Sequence, residues 1–301
     1  FGADVADAMG LGDLVSDGRL NLLEAGIRAA DGVTTVSPGY AAEILTAEHG
    51  MGLESLLASR GDRLIGVLNG VDEREWSPAH DDRLPATYSV EDLAGKRVNR
   101  AELLRRTGLA ADDRTPILAT VSRLVEQKGC ELYRHGFGEL LERLDARFVV
   151  LGTGEARYEE LFESLRATQP ERTAFFREFN ADLAHLIEAG SDIFLMPSRF
   201  EPCGLNQMYS MLYGTVPVVH RTGGLGDTVQ PFDRRTGKGT GFVFTEYSSP
   251  AFYATVEEAI ERFREHESWD QVMRNGMTRD FSWSRSVERY EEIYRGLING
   301  A

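Results

Sequence analysis

The sequence predicts an α/β fold built on a parallel, doubly wound sheet, and three observations carry that expectation. Short runs rich in Val, Ile, Leu and Phe recur from Pro116 onward. Segments of helical length separate nearly all of them, and strands alternating with such helices specify parallel pairing through crossover connections. The composition is that of a folded globular chain: of 301 residues, 42% are hydrophobic and 27% charged, enough apolar material for one large domain or two smaller ones.

Taken in order, residues 20–30 carry a helical apolar pattern and residues 33–36 form a β-branched run. Ser37-Pro38 then supplies a helix start, with proline suited to the first helical position. The apolar run 64–68 ends in Asn69-Gly70-Val71-Asp72, a turn sequence closing a buried strand. Residues 72–92 are polar, interrupted by Pro78 and Pro85 and without a period, and are expected to cross between domains. This division makes residues 1–108 the remainder of a first domain, 109–280 a second domain, and 281–301 a C-terminal helix packing back on the first. In the second domain strands are expected at 117–121, 147–151, 173–176, 193–196, 216–219 and 241–244, with helices at 155–167, 182–189, 205–213 and 251–266. There is no internal repeat and no low-complexity tract.

Lys and Arg total 33 against 48 Asp and Glu, a formal net charge of -15 at pH 7. That balance argues against a nucleic-acid footprint and against binding to an anionic membrane surface, so any anionic ligand has to be held locally. Only Lys96, Lys128 and Lys238 are lysines; the other 30 cations are arginine, and a lysine kept inside a motif marks a place that needs a compact ammonium. Two cysteines, Cys130 and Cys203, are too few for a disulfide framework and lie outside any metal-ligand spacing, which points to a reducing, cytoplasmic setting. No apolar run reaches membrane-spanning length. The chain starts at Phe1 with neither an initiator methionine nor a basic, apolar leader, and reads as a fragment beginning mid-protein.

In open α/β sheets ligands bind outside the carboxyl ends of the strands, and four post-strand loops stand out there. The first, Ser122-Arg123-Leu124-Val125-Glu126-Gln127-Lys128-Gly129, puts a guanidinium and an ammonium five residues apart at a strand-to-helix junction, a set that suits a diphosphate. The same spacing also suits two solvated cations near a turn. The second, Leu151-Gly152-Thr153-Gly154-Glu155, is a short turn whose glycines serve tight turning as readily as ligand approach. The third, Pro197-Ser198-Arg199-Phe200-Glu201-Pro202-Cys203-Gly204-Leu205-Asn206-Gln207, sets Glu201 before a helix start. There it can bond a sugar hydroxyl or stabilise positive charge at an anomeric carbon, or simply complement a helix dipole. Cys203 has no local base, which rejects a cysteine nucleophile. The fourth, His220-Arg221-Thr222-Gly223-Gly224-Leu225-Gly226-Asp227-Thr228, offers backbone N–H groups of the kind that cradle oxyanions, or serves as a flexible connection.

Together these residues and their order resemble the bacterial glycogen synthase and plant starch synthase family. The matches run through nearly the whole chain: Asn21-Leu22-Leu23-Glu24-Ala25-Gly26-Ile27, Val33-Thr34-Thr35-Val36-Ser37-Pro38, Leu68-Asn69-Gly70-Val71-Asp72, the four loops, and Asp280-Phe281-Ser282-Trp283. The strings 198–205 and 222–229 are the most specific of them. The resemblance implies the GT-B architecture, two Rossmann-like domains facing a cleft with the first present only in part. It implies a retaining glucosyltransferase that moves glucose from ADP-glucose to the non-reducing end of an α-1,4-glucan.

By the same resemblance, Arg123 and Lys128 would bind the donor diphosphate and stabilise the charge on departing ADP, so no metal or other cofactor is implied. Glu201 would lie beside the donor glucose. Cys203, Gly204 and Leu205 would line the glucose pocket, and backbone groups of Thr222, Gly223 and Gly224 would approach the phosphates. Gly152 and Gly154 would belong to the nucleotide side, where Phe179 replaces a tyrosine usual near the adenine. Asn69 would face the cleft from the first domain, and His185 matches a family histidine read here as a satisfied core residue.

Asn206 stands where a threonine is usual, and Asn180-Ala181-Asp182 departs from a segment that carries a glutamate. The family's N-terminal Lys-x-Gly-Gly-Leu loop and its acceptor-side His-Asn segment do not occur in the chain. The expectation is therefore an enzyme lacking part of its first domain; the alternatives are a non-catalytic ADP or glucan binding module and a related transferase using another nucleotide sugar. Residues 284–297 form an amphipathic helix whose apolar face is expected to promote association in solution.

Overall fold

The computed structural model describes residues 15–16 and 19–299, with side chains from Asn21 onward. They fall into two units: the described residues up to Asn69 together with those from Ser286, and a larger unit from Gly70 to Arg285. In the smaller unit a short antiparallel pair, β1 (Val15–Ser16) and β2 (Arg19–Leu20), precedes α1 (Leu22–Ala29). Asn21 caps α1 by accepting from the Leu23 and Glu24 amides. The strand β3 (Val33–Thr35) runs parallel to β4 (Leu64–Gly66), and Ser37 with Pro38 starts α2 (Pro38–Glu43) as the sequence predicts. Ile27, Ile44 and Leu57, the last on α3 (Glu54–Ser59), form the core of this unit.

The larger unit carries the predicted parallel sheet: β5 (Ile117–Val121), β6 (Arg147–Leu151), β7 (Thr173–Phe176), β8 (Ile193–Met196), β9 (Val216–His220) and β10 (Phe242–Phe244). Their spatial order is β10-β9-β8-β5-β6-β7, every pair parallel. The order reverses between β5 and β8, the switch point at which doubly wound sheets open a crevice. Under one face Tyr133 is ringed by Phe137, Phe148, Phe162 and Phe252, with centroids 4.9 to 5.5 Å away. Each fully buried ring contributes about 2 kcal/mol through the surface it removes from water.

The helices are α4 (Ala94–Thr107), α5 (Phe137–Arg143), α6 (Ala156–Thr168), α7 (Ala181–Gly190), α8 (Asn206–Leu212), α9 (Gly223–Thr228), α10 (Ser249–Phe263), α11 (His266–Met277) and α12 (Trp283–Asn299). The helix expected at 251–266 is α10, which ends at Phe263; the chain turns at Arg264 and Glu265, and α11, which the sequence reading did not foresee, begins at His266. The helix α12 starts in the larger unit and belongs to the smaller from Ser286, whose hydroxyl donates to the Leu68 carbonyl.

The boundary expected after residue 108 lies elsewhere. Residues 70–108 belong to the larger unit, because α4 packs along α7 and is pinned there by Lys96. The Lys96 ammonium donates to the carbonyls of Ala189, Ser191 and Tyr213 and to the Thr215 hydroxyl, all at 3.0 to 3.1 Å. Burial pulls its pKa down to about 8, with Asp192 and Glu188 acting in the opposite direction. The crossing segment is folded by single side chains rather than by a period: the Tyr88 hydroxyl donates to the Tyr213 carbonyl, and Asn99 closes on both backbone groups of Ala86. Among the described residues no helix is long and apolar enough to cross a membrane.

Candidate active site

All six strands point one way, so the loops that follow them gather at one sheet edge. There the backbones touch directly, and glycine permits it. Leu124 bridges Gly154 in parallel register, with its amide donating to the Thr153 carbonyl and its carbonyl accepting from Glu155. A Cβ at Gly154 would lie 2.2 Å from the Leu124 oxygen, and one at Gly152 would lie 2.0 Å from the Ser122 oxygen. The same first loop meets the third: the Arg199 amide donates to the Gln127 carbonyl, and a Cβ at Gly129 would sit 1.9 Å from the Pro197 oxygen. The third loop meets the fourth, where Cβ atoms at Gly223 and Gly224 would lie 2.2 and 2.0 Å from the carbonyl oxygens of Glu201 and Cys203.

This lacing engages several of the backbone groups singled out from the sequence. The Gly224 amide donates to the Glu201 carbonyl and ties the fourth loop to the third, while the Thr222 amide donates within its own loop to the His220 carbonyl. The Gly154 amide bonds the Glu159 carboxylate, and the Gly152 amide bonds the Phe176 carbonyl. Gly204 adopts a φ of 70°, which places the buried Gln207 amide to donate to the Cys203 and Gly204 carbonyls and to the Thr228 hydroxyl. Both cysteines are buried and outside any disulfide, and burial foremost pushes Cys130 up to about 12.

The charged residues singled out from the sequence come together. The Lys128 ammonium contacts Glu201 Oε2, and the Ser198 hydroxyl donates to the same oxygen at 3.3 Å. The pair is largely sequestered, with side-chain exposures of 20% for Lys128 and 9% for Glu201. Arg123 reaches Gln127 Oε1 at 3.3 Å from the same loop. Leu205 leads into α8, whose Asn206 donates to the Val121 carbonyl at 2.9 Å across the switch point.

Beside these loops a pocket of about 380 Å³ opens within the larger unit. Arg123, Gly152 and Phe179 line it, the last 95% exposed, together with Asn180, His185, Asn206, Tyr209 and Trp76. Lys128, Glu201, Cys203, Gly204, Leu205 and the residues 222–224 are not among its lining residues; Asn69 belongs to the smaller unit. Trp76 and Tyr209 escaped the sequence reading, although an aromatic two residues before Pro78 in a polar stretch is a signal of local docking. Trp76 stacks on His185 and on Tyr209, with centroids 3.8 and 3.9 Å apart. Burial foremost pushes the Tyr209 hydroxyl up to about 12. Among the described residues no group of three or more His, Cys, Asp and Glu side chains is placed to hold a metal ion.

A parallel sheet with a pocket at its switch point, a guanidinium in its wall and an ammonium in the adjoining loop defines a doubly wound α/β protein with its crevice where such sheets bind ligands. The chain belongs to the glycosyl transferases group 1 family, whose model matches residues 104–275; the starch synthase catalytic domain model matches residues 1–59. It is 50% identical to a glycogen synthase of an Anaeromyxobacter species over 93% of the chain and 58% of that protein. It is 48% identical to the glycogen synthase of Koribacter versatilis over 92% of the chain and 57% of that protein. The chain thus spans somewhat more than half the length of these curated relatives. Among solved structures, the catalytic domain of starch synthase IV from Arabidopsis thaliana, bound to ADP and acarbose, aligns with a TM-score of 0.88 at 37% identity, covering 96% of this chain and 60% of that one. A sucrose-phosphate synthase from Thermosynechococcus elongatus shares the fold at a TM-score of 0.63 and 18% identity. The architecture is of the GT-B type.

Proposed function

We propose that the larger unit binds ADP-glucose, and that the protein to which this chain belongs transfers its glucosyl group, with retention, to the non-reducing end of an α-1,4-glucan. The observation that carries the reading is the juxtaposition of the pocket, with Arg123 in its wall, and the Lys128–Glu201 pair in the adjoining loops. The starch synthase neighbour, bound to ADP and acarbose, supports the ligand class.

In this reading the nucleoside fills the pocket, with Phe179 against the base, and the diphosphate extends toward Arg123 and Lys128. Transfer breaks the bond between the anomeric carbon and the diphosphate oxygen and forms one to the glucan O4, whose hydroxyl proton is released. The departing ADP gains negative charge, and a guanidinium fork with a compact ammonium is suited to neutralise it without a metal ion. In the same reading the Glu201 carboxylate serves the sugar side, by bonding a hydroxyl or by stabilising positive charge at the anomeric carbon.

The test is calorimetric titration of the chain with ADP, together with incorporation of labelled glucose from ADP-glucose into glycogen by the whole protein to which it belongs. Saturable ADP binding that is lost in Arg123→Ala is expected. Absence of ADP binding would overturn the reading, whereas binding without incorporation would favour a binding module.

A further inference from the structure

In the pocket wall one imidazole is held in a single orientation. His185 is 1% exposed, and its Nδ1 lies 2.7 Å from Asp81 Oδ2. The Tyr213 hydroxyl donates to that same oxygen at 2.6 Å, and the Arg83 amide donates to Asp81 Oδ1 at 3.0 Å. Trp76 lies almost flat on the imidazole, 16° from parallel, and blocks rotation of the ring. A carboxylate bonded in this way accepts the Nδ1 proton, which leaves the lone pair of a neutral imidazole on Nε2. No described residue bonds Nε2, although the side chain lines the pocket. Such a lone pair needs a proton donor. A diphosphate near neutral pH offers mainly acceptor oxygens, so in a bound nucleotide the donor belongs to the nucleoside.

We propose that His185 is a specificity-determining contact for the nucleoside half of the ligand, its Nε2 accepting a hydrogen bond from an N–H of the base or an O–H of the ribose. Asp81 and Trp76 are then positioning residues that fix the tautomer and the plane of the ring. The proposal rests on the nucleotide reading above and adds which atom of this chain discriminates among nucleotides.

Calorimetric titration with ADP, inosine diphosphate, 2′-deoxy-ADP and 3′-deoxy-ADP separates the base amine from the two ribose hydroxyls. The wild-type chain is expected to bind the analogue lacking the donating group about tenfold more weakly than ADP. His185→Asn keeps an N–H toward Asp81 and presents nothing at the Nε2 position; it is expected to lose that discrimination and bind ADP as weakly as the analogue. His185→Gln, whose amide oxygen reaches the Nε2 position, is expected to restore part of it, with thermal unfolding used to verify that both variants fold. Equal binding of all four nucleotides by the wild-type chain overturns the proposal without need of any variant. So does unchanged discrimination in a folded His185→Asn. Failure of the wild-type chain to bind ADP at all overturns the nucleotide reading, and this proposal with it.

Discussion

The Lys128 ammonium rests on Glu201 Oε2, joining two loops 73 residues apart in sequence. In the nucleotide reading proposed above, a phosphate oxygen would compete with that carboxylate for the ammonium. Glu201→Gln removes that competitor: ADP is expected to bind several-fold more tightly while glucosyl transfer falls sharply, a split visible by calorimetry alongside the transfer assay. Lys128→Ala is expected to weaken ADP binding about ten- to a hundredfold, the range for losing a charge-assisted bond. If Glu201→Gln left ADP affinity unchanged, the competition would be refuted.

The contacts between loops at glycine give a second expectation. Gly129 has a φ of 71° and no room for a Cβ against the Pro197 carbonyl, and Gly224 has none against Cys203. Alanine at either position is expected to destabilise the fold by about 2 kcal/mol or more, since backbone must move. Gly26, exposed in the middle of α1 with nothing within 4 Å of where a Cβ would sit, is the opposite case. Gly26→Ala is expected to add about 0.5–1 kcal/mol through helix propensity. Urea unfolding of the three variants checks the order.

Lys96 binds four oxygens from Ala189, Ser191, Tyr213 and Thr215. Lys96→Met is expected to lower stability by about 3–5 kcal/mol, because buried acceptors and nearby carboxylates lose their cation. Lys96→Arg should not rescue it, since a planar fork cannot converge on four oxygens set around one point. A variant with arginine that melts like the wild type would show that charge alone suffices there.

The Asp81 carboxyl supplies a pH signature. Burial pushes its pKa up, but bonds from His185, Tyr213 and the Arg83 amide together outweigh burial and hold it below the usual carboxylate range. Between the usual value, about 4, and the lower folded value, the unfolded chain takes up a proton that the folded chain does not. The contribution is therefore complete above about pH 4 and is lost as pH falls through the folded value. Asp81→Asn is expected to melt several degrees below the wild type near neutral pH, with the gap narrowing toward about pH 3. A gap that stays constant across that range would contradict the assignment.

The parallel sheet was legible because strands covered on both faces must be apolar along their length, as Ile193–Met196 and residues 216–219 are. The site loops were legible because they follow those strands. The partners of Lys96 were not, lying 93 to 119 residues away with no periodic trace. Trp76, Asp81 and Tyr88 were hidden for a related reason: each docks on its own, so the segment between the domains looks featureless. In the fourth loop the glycines could be read, but what they press against could not. Only with the backbone of Glu201 and Cys203 in view do Gly223 and Gly224 show a second role, as spacers between loops.

The seating of Lys96 and Lys128 has a practical consequence for amine chemistry. Lys96 is enclosed by four oxygens and Lys128 is paired with a carboxylate, while Lys238 lies exposed beyond β9, in a turn closed by its bridge to Asp233. Among the side chains, an acylating reagent thus meets one open amine, so a dye or a surface tether can be placed on Lys238 while the site loops stay unlabelled. With longer exposure, slow acylation at Lys128 becomes a direct gauge of how often its ion pair with Glu201 opens.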